Sequence, residues 1–526
     1  MKKGPTAEFR RASAIAVPIL FLITLVCWAF ASPVGSSPDD NFHLPSIWCG
    51  LGDRAGYCEP SGDPDTRLVP SPVQSAPCYA FVPTESAACW ESDEPGMTEA
   101  PWMNAAGLYP PVFYAVMAVF VGPDIATSVI AMRIFNAVLI VGLLTAVYFA
   151  LPRRLRPALV ISTLACSVPL GLFVFASTNP SSWALAAAAT VWICLYGTMR
   201  THGRRQWILG ALAVFATILG AGARADAAIF AVFAVGLALV LGLRRGVSLR
   251  VPAISAGLVV ICSVLLYLTA GQSRALTAGL PTQNPPLTGA QHLANLLGVP
   301  TLWYGAFGST GLGWLDTVPP AAVTVLAFGV FAAAIFVGIR RLSVRRALGV
   351  SIAFAALWLV PFILLAQSRA VVGTEVQSRY LLPLMIILVG VASASSRVAA
   401  EWRGPRALVA GGALSLAASI ALHANIRRYT VGVESNAVDP GLAAEWWWNV
   451  GPSPMTVWLI GSVAFASMFV LLWLSLRQAP TGADAVSDVG ESSADANTAD
   501  ASDEPLDGEP PTASDTSVNG PRAARS

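Results

Sequence analysis

Charge is what this 526-residue chain has least of. Asp, Glu, Lys and Arg make up only 12% of it, and lysine is confined to Lys2 and Lys3. About a quarter of an ordinary soluble domain is charged, so the scarcity excludes that class. A formal net charge of +2 gives no footing for a nucleic-acid partner. Apolar residues fill the gap at 55%, with a mean hydropathy of +0.63. The chain therefore reads as an all-α polytopic membrane protein.

The few charges are sorted along the sequence. Basic residues cluster at Lys2, Lys3, Arg10 and Arg11, then at 153–156, 200–205, 244–250, 340–346 and 397–406. Placing these turns in the cytoplasm pairs the apolar segments between them. Those segments are 12–31, 134–151, 158–176, 183–199, 207–223, 227–243, 251–270, 321–339, 347–366, 380–395, 407–424 and 456–476. About twelve transmembrane helices follow, with both termini cytoplasmic. Arginine in place of lysine fits a GC-rich bacterial genome, hence a bacterial inner (plasma) membrane. The short run after Tyr109-Pro110-Pro111 predicts an external helix lying along the interface. Ala29-Phe30-Ala31 resembles a signal-peptide cleavage site, but a retained first helix would anchor the loop that follows.

Residues 1–478 form the membrane domain, with large external loops at 32–109 and 271–320. The segment 479–526 has almost no large apolar residue and predicts a disordered acidic cytoplasmic tail. Cys49, Cys58, Cys78 and Cys89 share the first external loop, which predicts two disulfides. Three pairings are possible; the local one, Cys49–Cys58 with Cys78–Cys89, is the expectation. Cys27, Cys166, Cys194 and Cys262 fall in apolar segments and read as packing residues.

The middles of the spans hold almost no ionisable group. A secondary transporter needs charges or broken helices near the midplane, so the pattern favours chemistry at the surface. The external tips carry Asp39, Asp40 and His43, then Arg133, Asn179, Arg224 and Asp226. Trp314 and Asp316 follow, then Gln377, Arg379 and Tyr380, then Trp446 to Trp448. These groups suit transfer of a sugar from a lipid phosphate. A carboxylate can take the acceptor proton, and arginines can steady the leaving phosphate. Asp39 is the candidate base, with Asp40 orienting it. Arg379, Tyr380, Gln377, Arg224, Arg133, His43, Asn179, Trp314 and Asp316 are candidates for the donor and its phosphate. Asp39, Asp40 and His43 could instead hold a divalent metal such as Mg or Mn. The bland readings are a solvated Asp-Asp turn, snorkelling arginines and an interfacial tryptophan belt.

Pro38-Asp39-Asp40-Asn41-Phe42-His43 resembles the Pro-Asp-Glu-x-x-His signature of a bacterial membrane family, domain of unknown function 2142. Gln377-Ser378-Arg379-Tyr380-Leu381-Leu382-Pro383 resembles its Gln-Gly-Arg-Tyr hallmark. Trp303 to Gly308 with Leu312 to Asp316, Tyr109 to Tyr114, Asn179-Pro180 and Arg224-Ala225-Asp226 are similar to further shared positions. Asp40 stands where the family has Glu, and Ser378 where it has Gly. The family in turn resembles the GT-C superfamily of membrane glycosyltransferases, which use polyprenyl-phosphate sugars and a catalytic aspartate in the first external loop. The resemblance implies an inverting transferase with Asp39 as base and Arg379 in the late external motif. Its partners would be a polyprenyl-phosphate sugar, an envelope glycan or exported acceptor, and membrane lipids. A flippase for lipid-linked glycans and a non-catalytic envelope assembly protein are the competing expectations.

Overall fold

The computed structural model describes residues 5–244, 248–271, 284–340, 342–435 and 437–477. The expected tail, 479–526, lies outside them, as do residues 272–283 of the second loop. In chain order the helices begin with α1 (Pro5–Phe30), α2 (Asp40–Trp48), α3 (Pro111–Met117) and α4 (Ile125–Ala150). Next come α5 (Arg156–Ser167), α6 (Leu170–Phe175), α7 (Ser181–Thr198), α8 (Arg204–Ala223), α9 (Ala225–Gly242) and α10 (Arg250–Leu268). The chain ends with α11 (Gly289–Tyr304), α12 (Ala321–Ile339), α13 (Val344–Gln367), α14 (Leu382–Ser393), α15 (Pro405–Val431) and α16 (Pro454–Arg477).

Among the described residues, nine helices are long and apolar enough to cross a membrane: α1, α4, α8, α9, α10, α12, α13, α15 and α16. They leave large apolar side chains bare, such as Leu268 at 72% and Phe336 at 70% exposure. Water would not tolerate so much apolar surface, and lipid does.

The other three expected spans differ. The 158–176 segment is two helices, α5 and α6, parted at Val168-Pro169. Val168 is extended, because a following proline disfavours the helical region. All 18 residues of α7 are buried. So are all 12 of α14, which at about 18 Å is too short to cross a hydrocarbon core alone. Their neighbours are protein rather than lipid, so α7 tolerates Ser182, Thr190 and Thr198 in its interior. α7 packs on α8 and α9, and α14 packs on α5, α7, α12 and α13. Close approach needs small residues there: a Cβ on Gly220 would lie 2.5 Å from that of Ala187. α3 and the turn after it, Pro111–Phe120, are also too short to cross.

Two boundaries shift with consequence. α4 starts at Ile125, not 134, because Asp124 caps it by accepting from the Thr127 N–H at 2.7 Å. Arg133 therefore lies inside the helix, not at a tip. α15 runs on to Val431, carrying Arg427 and Arg428 with it. Part of the 271–320 loop is helical. It contains α11, opened by a Thr288–Gln291 capping box.

The first loop carries a small antiparallel sheet, β1 (Glu59–Pro60), β2 (Arg67–Pro70) and β3 (Met97–Ala100), in that order. The disulfides are Cys49–Cys58 and Cys78–Cys89, the local pairing. Each closes a short loop, worth about 2.5 kcal/mol on the chain-entropy account. Serine at Cys49 and Cys58 together is expected to lower the Tm of the oxidised protein while leaving that of the reduced protein unchanged. Equal Tm values for variant and oxidised wild type would remove that contribution.

Candidate functional site

The site is built around one tight turn. Asp39 sits at φ 60° and caps α2, so the chain reverses sharply between two carboxylates. Aspartate tolerates this left-handed conformation better than most residues. The two side chains face opposite ways. Asp40 is fully buried; it accepts from the Ser37 N–H at 2.9 Å and from the Thr178 hydroxyl at 3.0 Å. Asp39 leaves 41% of its side chain exposed and pairs with Arg379 at 2.5 Å.

Behind Asp39 the cations and rings alternate. The Arg379 guanidinium lies 5.1 Å from the Tyr380 ring centroid. Arg224 lies 5.1 Å from the same ring and 5.8 Å from that of Tyr109. Arg224 also grips Asp226, with its Nη2 at 2.8 Å and its Nε at 2.9 Å. His43 meets Tyr109 edge-on at 5.3 Å, and its Nδ1 shares a 2.9 Å hydrogen bond with the Tyr114 hydroxyl. Arg224 and Arg379 are both about 95% buried, which cations tolerate only when paired. Here carboxylates and ring faces supply the pairing.

Burial and charge set the protonation. Burial pushes the Asp39 carboxyl up, but the guanidiniums of Arg379 and Arg224 outweigh it and hold the group below the ordinary carboxylate range. Burial pushes Asp40 up to about 6, against the pull of Arg133 and of its Ser37 and Thr178 bonds. Burial drives His43 down to about 3, helped by Arg379 and Arg224, so the ring is neutral. Burial also raises Tyr109 to about 12, leaving a phenol that keeps its proton.

The folded protein therefore holds the Asp40 proton more tightly than the unfolded chain does. Its ionisation weakens the fold as pH rises: the cost is absent below about pH 4, complete above about pH 6, and on the order of 3 kcal/mol. Asp40→Asn is expected to lack this slope. Its Tm relative to wild type should rise between pH 4 and pH 7, and a constant difference would mean that Asp40 does not titrate there.

A narrow cleft of about 10 Å³ opens beside the pair, lined by Pro38, Leu170, Gly311, Gly313, Gln377 and Arg379 among others. As the side chains stand it has room for about one water. The buried Gln377 Oε1 and His43 Nε2 have no hydrogen-bond partner. Gly313 has φ 56°, and a Cβ there would come within 2.6 Å of the Tyr429 hydroxyl oxygen. Only glycine lets the 311–315 turn come this close.

Residues 21–388 match the family described as predicted membrane protein, DUF2142. The chain belongs to that family. No curated protein and no solved structure matches it. The DUF2142 region takes in every site residue from Asp39 to Tyr380, while α15 and α16 lie beyond it.

Within this DUF2142 chain the expected site residues divide in two. Asp39, His43, Arg224, Gln377, Arg379 and Tyr380 converge. Arg133 does not: it is 1% exposed and donates to the carbonyls of Ala29, Ser32 and Pro33 and to the Ser36 hydroxyl, so it fastens the loop from inside. Asn179 donates to the Pro38 carbonyl at 2.7 Å and fixes the Asp39 turn. Trp314 donates to the Gly35 carbonyl at 2.9 Å. Asp316 pairs with buried Arg428 at 2.8 Å. These four hold the loops rather than a ligand. Of the three tryptophans after Glu445, Trp448 donates to the Phe30 carbonyl at 2.8 Å and Trp447 to that of Pro452 at 2.8 Å, so neither indole N–H is left for a sugar.

The expected metal set does not assemble either. The Asp40 oxygens are taken by Ser37 and Thr178, Asp39 by Arg379, and His43 Nδ1 by Tyr114. Among the described residues no group of three or more His, Cys, Asp or Glu is placed to hold a metal ion. Mg or Mn does not fit these donors. Thr178 and the Tyr109–Tyr114 pair join the site without having been candidates. Their hydroxyls carry no charge pattern; in the sequence Tyr109 and Tyr114 stand out only through the family resemblance of the Tyr109 to Tyr114 segment, and Thr178 only as the neighbour of Asn179-Pro180.

Proposed function

We propose that the protein is a membrane glycosyltransferase that moves a sugar from a polyprenyl phosphate to a hydroxyl of an envelope glycan or exported acceptor. The observation that carries this reading is the Asp39–Arg379 pair. A partly exposed carboxylate is held by a buried guanidinium that also lines a cleft. In this respect the protein is similar to the GT-C superfamily, with its aspartate in the first external loop.

The pairing suggests how the base is switched on. At rest Asp39 is the counterion of Arg379. A donor phosphate arriving at Arg379 brings a second negative charge, which frees the carboxylate and raises its affinity for a proton. Asp39 then takes the proton of the acceptor hydroxyl as that oxygen bonds to the anomeric carbon. The bond from that carbon to the phosphate oxygen breaks, and the phosphate keeps the electron pair beside Arg379 and Arg224. Attack opposite the leaving group inverts the anomeric centre. Gln377 Oε1 accepts from a sugar hydroxyl, and the polyprenyl tail lies along the apolar helix faces. No step is assigned to a metal.

In this reading α5 with α6, α7 and α14 complete twelve crossings. All the arginine turns and both termini then lie in the cytoplasm of a bacterial inner membrane, and the Asp39 site faces outward. The test is wild-type protein in nanodiscs supplied with a panel of polyprenyl-phosphate sugars and envelope acceptors. Release of free polyprenyl phosphate from one donor is expected. Binding of donors with no release from any of them would count against transfer and favour a flippase or an assembly role.

A further inference from the structure

An exposed aromatic ring adjoins the Asp39 cleft. The loop closed by Cys78–Cys89 carries Phe81 at the surface, 69% exposed. Its ring meets that of buried Trp314 edge-on, with centroids 5.2 Å apart. Trp314 sits in the 311–315 turn, whose Gly311, Gly313 and Leu315 line the cleft. The turn rests on the segment just ahead of Asp39 through the Trp314 bond to the Gly35 carbonyl. Phe81, Trp314 and Leu315 therefore stand together at the rim of the cleft.

Both exposed apolar residues hold a left-handed backbone, Phe81 at φ 62° and Leu315 at φ 64°. Bulky side chains avoid this region, and glycine enters it freely. Burial is not what the two residues gain in exchange, since Leu315 too is 42% exposed. Hydrogen bonds impose the conformation. Buried Arg428 donates to the carbonyls of Tyr79 and Val82, on either side of Phe81, at 2.9 and 3.0 Å. It also pairs with Asp316, beside Leu315, at 2.8 Å. One guanidinium thus fixes both turns. A backbone outlier kept without burial points to an occupant that the side chain serves.

The neighbouring groups define that occupant. The cleft has room for about one water, so as the side chains stand a sugar ring cannot lie inside it. A sugar ring can lie on Phe81 at its rim. The face of an aromatic ring is negative, and it attracts the slightly positive C–H bonds on one side of a pyranose. The exposed polar residues that follow Phe81 are Thr84 and Glu85. A hydroxyl and a carboxylate suit sugar hydroxyls, and neither brings a cation for a phosphate.

We propose that Phe81, backed by Trp314, is the platform on which a sugar ring of the acceptor stacks, so that the acceptor is a glycan. The role of acceptor comes from the transferase reading, on which this part rests; the stacking itself needs neither donor nor turnover. An acyl chain or an apolar protein segment would also cover Phe81, but for its apolar area and not for its π face.

The test uses full-length protein in nanodiscs without donor. It is titrated with mannotetraose and with triacetylchitotriose, and binding is read by saturation-transfer NMR. Saturation should reach the ring C–H protons of at least one of them. Phe81→Gly should weaken that binding by about 10-fold. Its Tm should be no lower than that of wild type, because glycine relieves the left-handed turn. Phe81→Leu keeps apolar area and backbone strain but removes the π face, and should weaken binding as much. Phe81→Tyr should bind as wild type does. Binding retained in Phe81→Leu would overturn the sugar platform in favour of an apolar partner. No transfer to either saccharide in wild type, or equal binding in Phe81→Gly, would overturn it as well. Release of polyprenyl phosphate separates the two readings. Release with an unchanged acceptor KM in Phe81→Leu would remove the platform and leave the transferase standing. Saccharide binding lost in Phe81→Leu, with no release from any donor in wild type, would keep the platform and remove the transferase.

Discussion

Asp39→Asn is expected to lower donor turnover by about 10²- to 10⁴-fold, the usual contribution of a positioned base. The substitution suits the site. Asparagine has the same shape and accepts the φ 60° turn as readily as aspartate. Its carbonyl can still accept from Arg379. It cannot take a proton, and it carries no charge to compete with a donor phosphate for Arg379. Donor binding is therefore expected to be as tight as wild type or tighter, with the loss confined to kcat. Alanine is a poorer test, because it strains the turn and mixes folding with chemistry. Weaker donor binding in the Asn variant would place Asp39 among the binding groups and leave the base unassigned.

Arg133→Gln is expected to lower stability by about 3 kcal/mol or more, and not to act on the donor. Arg133 satisfies three carbonyls and one hydroxyl in a region closed to water. Each buried acceptor left unsatisfied costs about 1–3 kcal/mol. Thermal unfolding of the variant in detergent, alongside donor affinity of its folded fraction, separates the two roles. A folded variant of normal Tm with weakened donor binding would return Arg133 to the phosphate site.

The contrast between Arg133 and Arg379 shows how far the sequence could be read. Both are arginines near the end of an apolar run, and both were expected at the donor phosphate. The apolar stretch after Arg133 looked like the start of a span. Asp124, a capping residue nine positions upstream, draws the helix back and takes Arg133 inside. Arg379 follows a loop and precedes Pro383, so its helix cannot start earlier and it stays at the mouth of the cleft. Hydropathy located nine helices well because lipid demands long apolar faces. It says less about α5, α6, α7 and α14, where the surroundings are protein and a short or polar helix suffices. The local disulfide pairing was legible from loop context. Which of the two adjacent aspartates faces out was not, since it depends on one left-handed backbone angle and on Thr178, 138 residues away.

The measurement that bears most directly on the central claim follows one sample by two readouts. Wild type and Asp39→Asn, each in nanodiscs with the donor that wild type selects and an acceptor, are assayed together for bound donor and for released polyprenyl phosphate. The account predicts equal donor occupancy in both, with release from wild type alone. Equal release from both proteins, or occupancy lost together with release in the variant, would contradict it.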